Sequence, residues 1–134
     1  MKELIESLAR KAGDTLMKHF RQDWALLKKR SPAKEAVTKY DKEVDRLIIG
    51  EIQRHYPHHS LLTEESGFLQ DDPDWLWIVD SLDGTGDFAN FNPLFSVCLA
   101  LMHQNELLLG AIYAPAIDEF YFAEKGKGAY LNGV

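Results

Sequence analysis

The chain is predicted to be an α+β protein, with two N-terminal helices packed on a largely antiparallel β-sheet. Two observations predict this. Apolar residues recur at helical spacing as far as His55, and after Pro57 they form short extended runs separated by turn-prone residues. The 134 residues give room for a single domain with a modest core.

Leu4, Ile5, Leu8, Ala9, Ala12, Leu16 and Phe20 follow a helical period, so the first twenty residues read as an amphipathic helix. Trp24, Leu26 and Leu27 lie in a less regular stretch, and Ser31-Pro32 breaks the chain. A second helix is expected from about Thr38–Asp41 to His55, burying Val44, Leu47, Ile48 and Ile52, and ended by Tyr56-Pro57. Six extended runs follow: SLLT, WLWIVD, FSVCLALM, ELLLGAIYA, EFYFAE and AYL. Three of the gaps between them are short enough for hairpins, which makes that part of the sheet antiparallel. WLWIV is continuously apolar and is expected to be buried on both faces.

Composition narrows the function. The net charge of −6 repels a nucleic-acid backbone, and the short basic cluster Lys28, Lys29 and Arg30 reads as solvated surface. No apolar run approaches the ~20 residues a bilayer requires. Glu3, Glu6 and Arg10 interrupt any signal-peptide core. Cys98 is the one cysteine; it excludes an internal disulfide and suits a reducing compartment, so the cytoplasm is expected, with the thiol buried and inert.

The chemistry-bearing stretch is WLWIVDSLDGTGDF, an apolar strand ending in Asp80, Asp83 and Asp87. Asp80 and Asp83 converge if Ser81-Leu82 turns, and without a counter-ion one would have its pKa pushed up by the other. A hard divalent cation removes that conflict, and oxygen-only ligands favour Mg²⁺, Mn²⁺ or Ca²⁺ over zinc. Gly86-Asp87-Phe88 is expected to open a short helix whose first N–H groups suit a phosphate. An ordinary acidic turn at Asp83-Gly84, with solvated neighbours, explains the same residues. LLTEES places Glu64 and Glu65 at another strand end, where they face the same crevice or plain solvent. In VTKYD, Thr38 and Asp41 also have the spacing of a helix capping box.

Taken together, VTKYDKEVD, TEES and WIVDSLDGT, followed by FNPLFSVCLAL and GAIYAPAIDEFYFAEKGKGAYLNG, resemble the inositol monophosphatase family, part of the Mg²⁺-dependent, lithium-sensitive sugar-phosphatase superfamily. The most specific piece is the Asp-x-Leu-Asp-Gly-Thr core. The resemblance implies a phosphomonoesterase that hydrolyses inositol monophosphate or a related sugar phosphate with metal-activated water. It implies two or three Mg²⁺ ions, with Mn²⁺ or Ca²⁺ able to substitute in binding. Glu64, Asp80 and the Leu82 carbonyl would hold one ion, and Asp80 and Asp83 a second. Asp83, Gly84 and Thr85 would contact the phosphate. Thr85, paired with Asp41, would help deprotonate the water, which Glu64 would orient. Which of Glu64 and Glu65 is the direct ligand stays open.

Three residues depart from the family pattern: Thr63 stands for the usual Gly, Ser81 for Pro, and Asp87 for Asn. Ser81 is expected to loosen its turn, and Asp87 to add negative charge near the phosphate. Family members run to about twice this length in the resemblance, with a C-terminal α/β domain carrying a Trp-Asp motif. Trp24, Trp75 and Trp77 are followed by Ala25, Leu76 and Ile78, so no such motif exists here. Residues 1–134 are therefore expected to be the N-terminal, metal-binding half, with weak or no turnover alone. A homodimer is expected from the relatives and from the surfaces a second domain would otherwise cover. No nucleic-acid or membrane partner is expected.

Other signals are discounted. His55, His58 and His59 read as a solvated helix end, Gly126-Lys127-Gly128 as a turn, and Phe88, Phe91 and Phe95 as core. Two rival readings remain: a non-catalytic truncated relative that binds metal or a partner, and a Ca²⁺-binding structural domain.

Overall fold

A computed structural model describes residues 1–21 and 33–134, and in the second helix the side chains from Lys39 onward. The expectations for Trp24, Leu26, Leu27, the Lys28–Arg30 cluster and Ser31-Pro32 lie outside the described residues. The elements run α1 (Lys2–His19), α2 (Ala33–His55), β1 (His59–Thr63), β2 (Gly67–Leu69), β3 (Asp72–Asp83), α3 (Thr85–Ala89), β4 (Ser96–His103), β5 (Glu106–Ala114), β6 (Glu119–Glu124) and β7 (Gly128–Leu131). The strands form one sheet in the order β2-β1-β3-β4-β5-β6-β7. Among the described residues, β1 and β3 pair in parallel and every other neighbouring pair is antiparallel. The α+β architecture is the one expected.

Both long helices lie on one face of the sheet, α1 over β4 and β5, α2 over β1 and β3, and against each other. Their apolar stripes explain this. Ile5, Leu8, Ala9, Ala12 and Leu16 of α1 and Val44, Ile48 and Ile52 of α2 are sealed against Trp77, Val79, Val97, Leu99, Leu101, Ala111, Tyr113, Phe120 and Phe122. Leu47 is only partly buried. Gly13 lets α1 come close to β5, because a Cβ there would meet the Tyr113 ring at 2.6 Å. Among the described residues no helix is long and apolar enough to cross a membrane.

Several expectations are corrected. Helix α2 begins at Ala33, so residue 38 lies inside the helix rather than at its cap. Ala33-Lys34-Glu35-Ala36 are all strong helix formers, and they extend the helix beyond the stretch in which apolar periodicity is visible. Strand β3 starts at Asp72; Pro73 is tolerated because the ladder to β1 is irregular between His59 and Ser60. The strand is not buried on both faces. Trp77 and Val79 are sealed, whereas Leu76 and Ile78 are half-buried, because the described residues leave the face opposite the helices open; Trp75, on the helix side, is half-buried beside His59 and His103. Cys98 lies on that open face, half-buried, and burial raises its pKa. The open face forms an apolar groove of about 750 Å³ floored by Ile78, Ala100, Gly110, Ile112, Tyr121 and Ala123.

Candidate active site

The acids gather where three elements meet. Strand β1 ends at Thr63 and turns through Glu64, Glu65 and Ser66 into β2, which pairs Thr63 with Gly67. Gly67 has φ 76°, which closes the three-residue hairpin loop with a left-handed residue. The Glu64 N–H reaches the Val79 carbonyl at 3.4 Å, which ties the loop to β3 one residue before Asp80. Strand β3 bulges between Asp80 and Asp83 and hands over to α3 through Gly84. Helix α2 passes behind, carrying Asp41.

Glycine is required at position 84. Its φ is 83°, and a Cβ would stand 2.8 Å from the Leu94 carbonyl oxygen. This tight turn places Thr85 at the start of α3, where the first N–H groups have no acceptor within the helix. Phe88 and Phe95 pack in the core below it, as expected of them.

Electrostatics show how closely the acids approach. Burial, then the nearby charges of Glu64 and Asp83, raise the Asp80 pKa to about 6, against the pull of the Leu82 N–H donated to Asp80 Oδ1 at 3.2 Å. Burial also raises Asp41, to about 7; the Ser81 hydroxyl opposes this shift, and Glu65 and Asp80 add to it. Glu64 thus lies near enough to raise Asp80, and Glu65 near enough to raise Asp41. Asp41, Glu64, Glu65, Asp80 and Asp83 form a run of electrostatic neighbours, Asp41 beside Glu65 and Asp80, and Asp80 beside Glu64 and Asp83.

Three details differ from the sequence expectation. Asp41 Oδ1 accepts from Ser81 Oγ at 2.8 Å, and Thr85 Oγ1 donates instead to the Leu82 carbonyl at 3.2 Å. Ser81 does not loosen the turn; it is 1% exposed and bridges β3 to α2. Sequence reasoning missed this role, and its signal was the departure from proline. Asp87 is held by Asn92, whose Nδ2 donates to Oδ1 at 2.8 Å, so its charge serves the loop after α3.

Among the described residues, no three His, Cys, Asp or Glu side chains close around one point as metal ligands. The acids meet in pairs instead. The donor set nevertheless fits a hard divalent cation, being all oxygen and holding like charges that raise the pKa of Asp80. His55, His58 and His59 take no part. His55 bonds the Glu51 carbonyl, His58 pairs with Asp71, and His59 Nδ1 accepts from Trp77 Nε1.

The sequence model of the inositol monophosphatase family matches residues 1–134. A fructose-1,6-bisphosphatase/inositol-1-monophosphatase of Thermotoga maritima is 40% identical over 127 residues, covering 94% of this chain and 48% of that protein. The Nus factor SuhB of Escherichia coli K12 is 36% identical over 126 residues, covering 93% and 47%. The crystal structure of the extragenic suppressor protein suhB from Bartonella henselae superposes with a TM-score of 0.85 at 32% identity, over 98% of this chain and 50% of that one. The chain thus spans about half the length of the curated relatives it matches.

Proposed function

The chain belongs to the inositol monophosphatase family, and from that premise we propose that it is the metal-binding half of a Mg²⁺-dependent phosphomonoesterase acting on inositol monophosphate or a related sugar phosphate. The observation that carries this reading is the meeting of acids from three separate segments beside the Gly84 turn.

Glu64, Asp80, Asp83 and the Leu82 carbonyl are the groups that would hold the cations. When bound, Mg²⁺ supplies a water of lowered pKa and neutralises charge on the leaving oxygen. The chain's own residues do the rest. Asp83, Gly84 and Thr85 receive the phosphate at the start of α3. Asp41, with a pKa near 7, is suited to take a proton at neutral pH. Thr85 lies one residue beyond the Gly84 turn, with its hydroxyl donated to the Leu82 carbonyl; it would help deprotonate the water, and Glu64 would orient it. A homodimer in the cytoplasm is part of the proposal, supported by the open apolar face.

Phosphate release from inositol 1-phosphate, with and without Mg²⁺, tests the reading when the chain and its Asp83→Asn variant are assayed side by side. Mg²⁺-dependent release that the substitution abolishes is the expected result, at a low rate because this is half the length of its relatives. Manganese binding by calorimetry is the more sensitive companion. Equal background release together with equal metal binding in both proteins would sink the phosphatase reading. The Nus factor among the relatives supports a second reading, a partner-binding module that hydrolyses nothing. That module would bind Mn²⁺ without releasing phosphate, or bind neither.

A further inference from the structure

A buried carboxylate outside the proposed ligand set is hydrogen-bonded to the loop that carries both glutamates. Asp45 sits one helical turn after Asp41 on the same face of α2 and is 1% exposed. Its Oδ2 accepts from the Ser66 hydroxyl at 2.5 Å and from the Thr63 hydroxyl at 3.3 Å. Thr63 Oγ1 in turn accepts the Ser66 backbone N–H at 2.8 Å. These bonds bracket Glu64 and Glu65, which are the two residues between Thr63 and Ser66. Helix α2 therefore grips the hairpin loop through Asp45, which bonds the residues on either side of the two glutamates.

We propose that Asp45 is a positioning residue, which acts through Thr63 and Ser66 to fix the direction in which Glu64 and Glu65 enter the crevice; this rests on the metal-site reading above. The chemistry argues for it. A carboxylate with almost no solvent contact is costly unless its oxygens are used, and here one oxygen serves two loop hydroxyls while Oδ1 has no partner among the described residues. An apolar residue would pack at this point of α2 at lower cost but could not hold the loop. Thr63 completes the case. A residue without a hydroxyl could make neither side-chain bond, so the loop is clamped through the Thr63 hydroxyl.

The test uses the full chain and Thr63→Val, which keeps the shape and removes both hydroxyl bonds, with Asp45→Ala, Asp45→Asn and Ser66→Ala beside it. Two quantities are read on samples shown to be folded by circular dichroism: Mn²⁺ affinity by calorimetry, and hydrogen exchange at the amides of residues 64–66. Thr63→Val and Asp45→Ala are expected to weaken Mn²⁺ binding about tenfold, the size of effect known for residues that orient metal ligands. Both should also speed exchange in the loop, while Asp45→Asn, which keeps an acceptor oxygen, restores most of each. Should Asp45→Ala fail to fold, Thr63→Val and Ser66→Ala carry the comparison, the latter at an exposed residue. Wild-type affinity and wild-type loop protection in Thr63→Val would overturn the proposal. If the chain itself binds no Mn²⁺, the metal-site reading fails separately, and loop exchange alone then decides whether Asp45 orders residues 64–66.

Discussion

Asp80 and Asp41 are held at a cost. Burial and neighbouring carboxylates raise them to about 6 and about 7, well above the 3.8 of a free aspartate. Because the folded pKa lies above the unfolded one, the folded chain binds more protons between about pH 4 and pH 7. The stability linked to these groups is fully present below about pH 4 and is lost as pH rises through 6 and 7. His59 works in the opposite sense, since burial lowers its pKa and it loses stability as pH falls. The comparison that isolates the carboxylates is wild type against Asp80→Asn, melted in EDTA across pH 5 to 8. The variant should gain over wild type as pH rises, and Mg²⁺ at pH 8 should raise the wild-type melting temperature while leaving the variant nearly unmoved. A difference between the two proteins that does not change with pH would remove the crowding argument. At this scale the acids were readable, because Asp-x-Leu-Asp-Gly-Thr and the paired glutamates announce themselves. Their partners were not. Ser81 was expected to loosen its turn and Asp45 was given no role, since neither residue type reveals in sequence which distant hydroxyl or carboxylate it will face.

Among the elements, α3 is five residues long and depends on what precedes it. Gly84 supplies the left-handed turn, and the Leu94–Phe95 segment leaves no space for a side chain there. Gly84→Ala would add about 1–2 kcal/mol of backbone strain and about 1–3 kcal/mol of crowding. A fall in melting temperature on the order of 10 °C is expected for a chain of this size. Gly86→Ala is the control, with open space at its Cβ and no left-handed backbone requirement, and it should cost far less. Similar losses in both would show that helix α3, rather than the Gly84 turn, is the sensitive feature. The turn chemistry that marks such points also explains what was legible among the strands. The β4–β5 connection, Gln104-Asn105, has both residues at positive φ and closes a two-residue hairpin. Strand β2 escaped notice because its three residues are all exposed and carry no alternation. The start of α2 escaped because its first turns follow helix propensity rather than apolar spacing.

At the scale of the molecule, the described residues cover the sheet on one side. The alternation that seals Trp77, Val79, Leu99 and Phe122 under the helices sends Ile78, Ala100, Ile112 and Tyr121 to the other face. Ile112 is 45% exposed, Tyr121 43% and Leu131 39%, and they border one groove rather than lying scattered. A contiguous apolar surface of this kind drives association. The continuous run WLWIV suggested cover on both faces, and it misled because a run of apolar residues cannot say whether its second cover belongs to the same stretch of chain. Self-association of the 134-residue chain through this face is therefore expected. Sedimentation velocity over a range of micromolar concentrations should show mass rising with concentration. The double variant Ile112→Lys with Tyr121→Lys should shift that equilibrium toward monomer. Both residues point away from the helix-packed core, so circular dichroism and the melting temperature should stay close to wild type, which separates lost association from lost folding. A wild-type chain that sediments as a monomer throughout, or a double variant that associates as strongly, would show that the open face does not drive contact between copies.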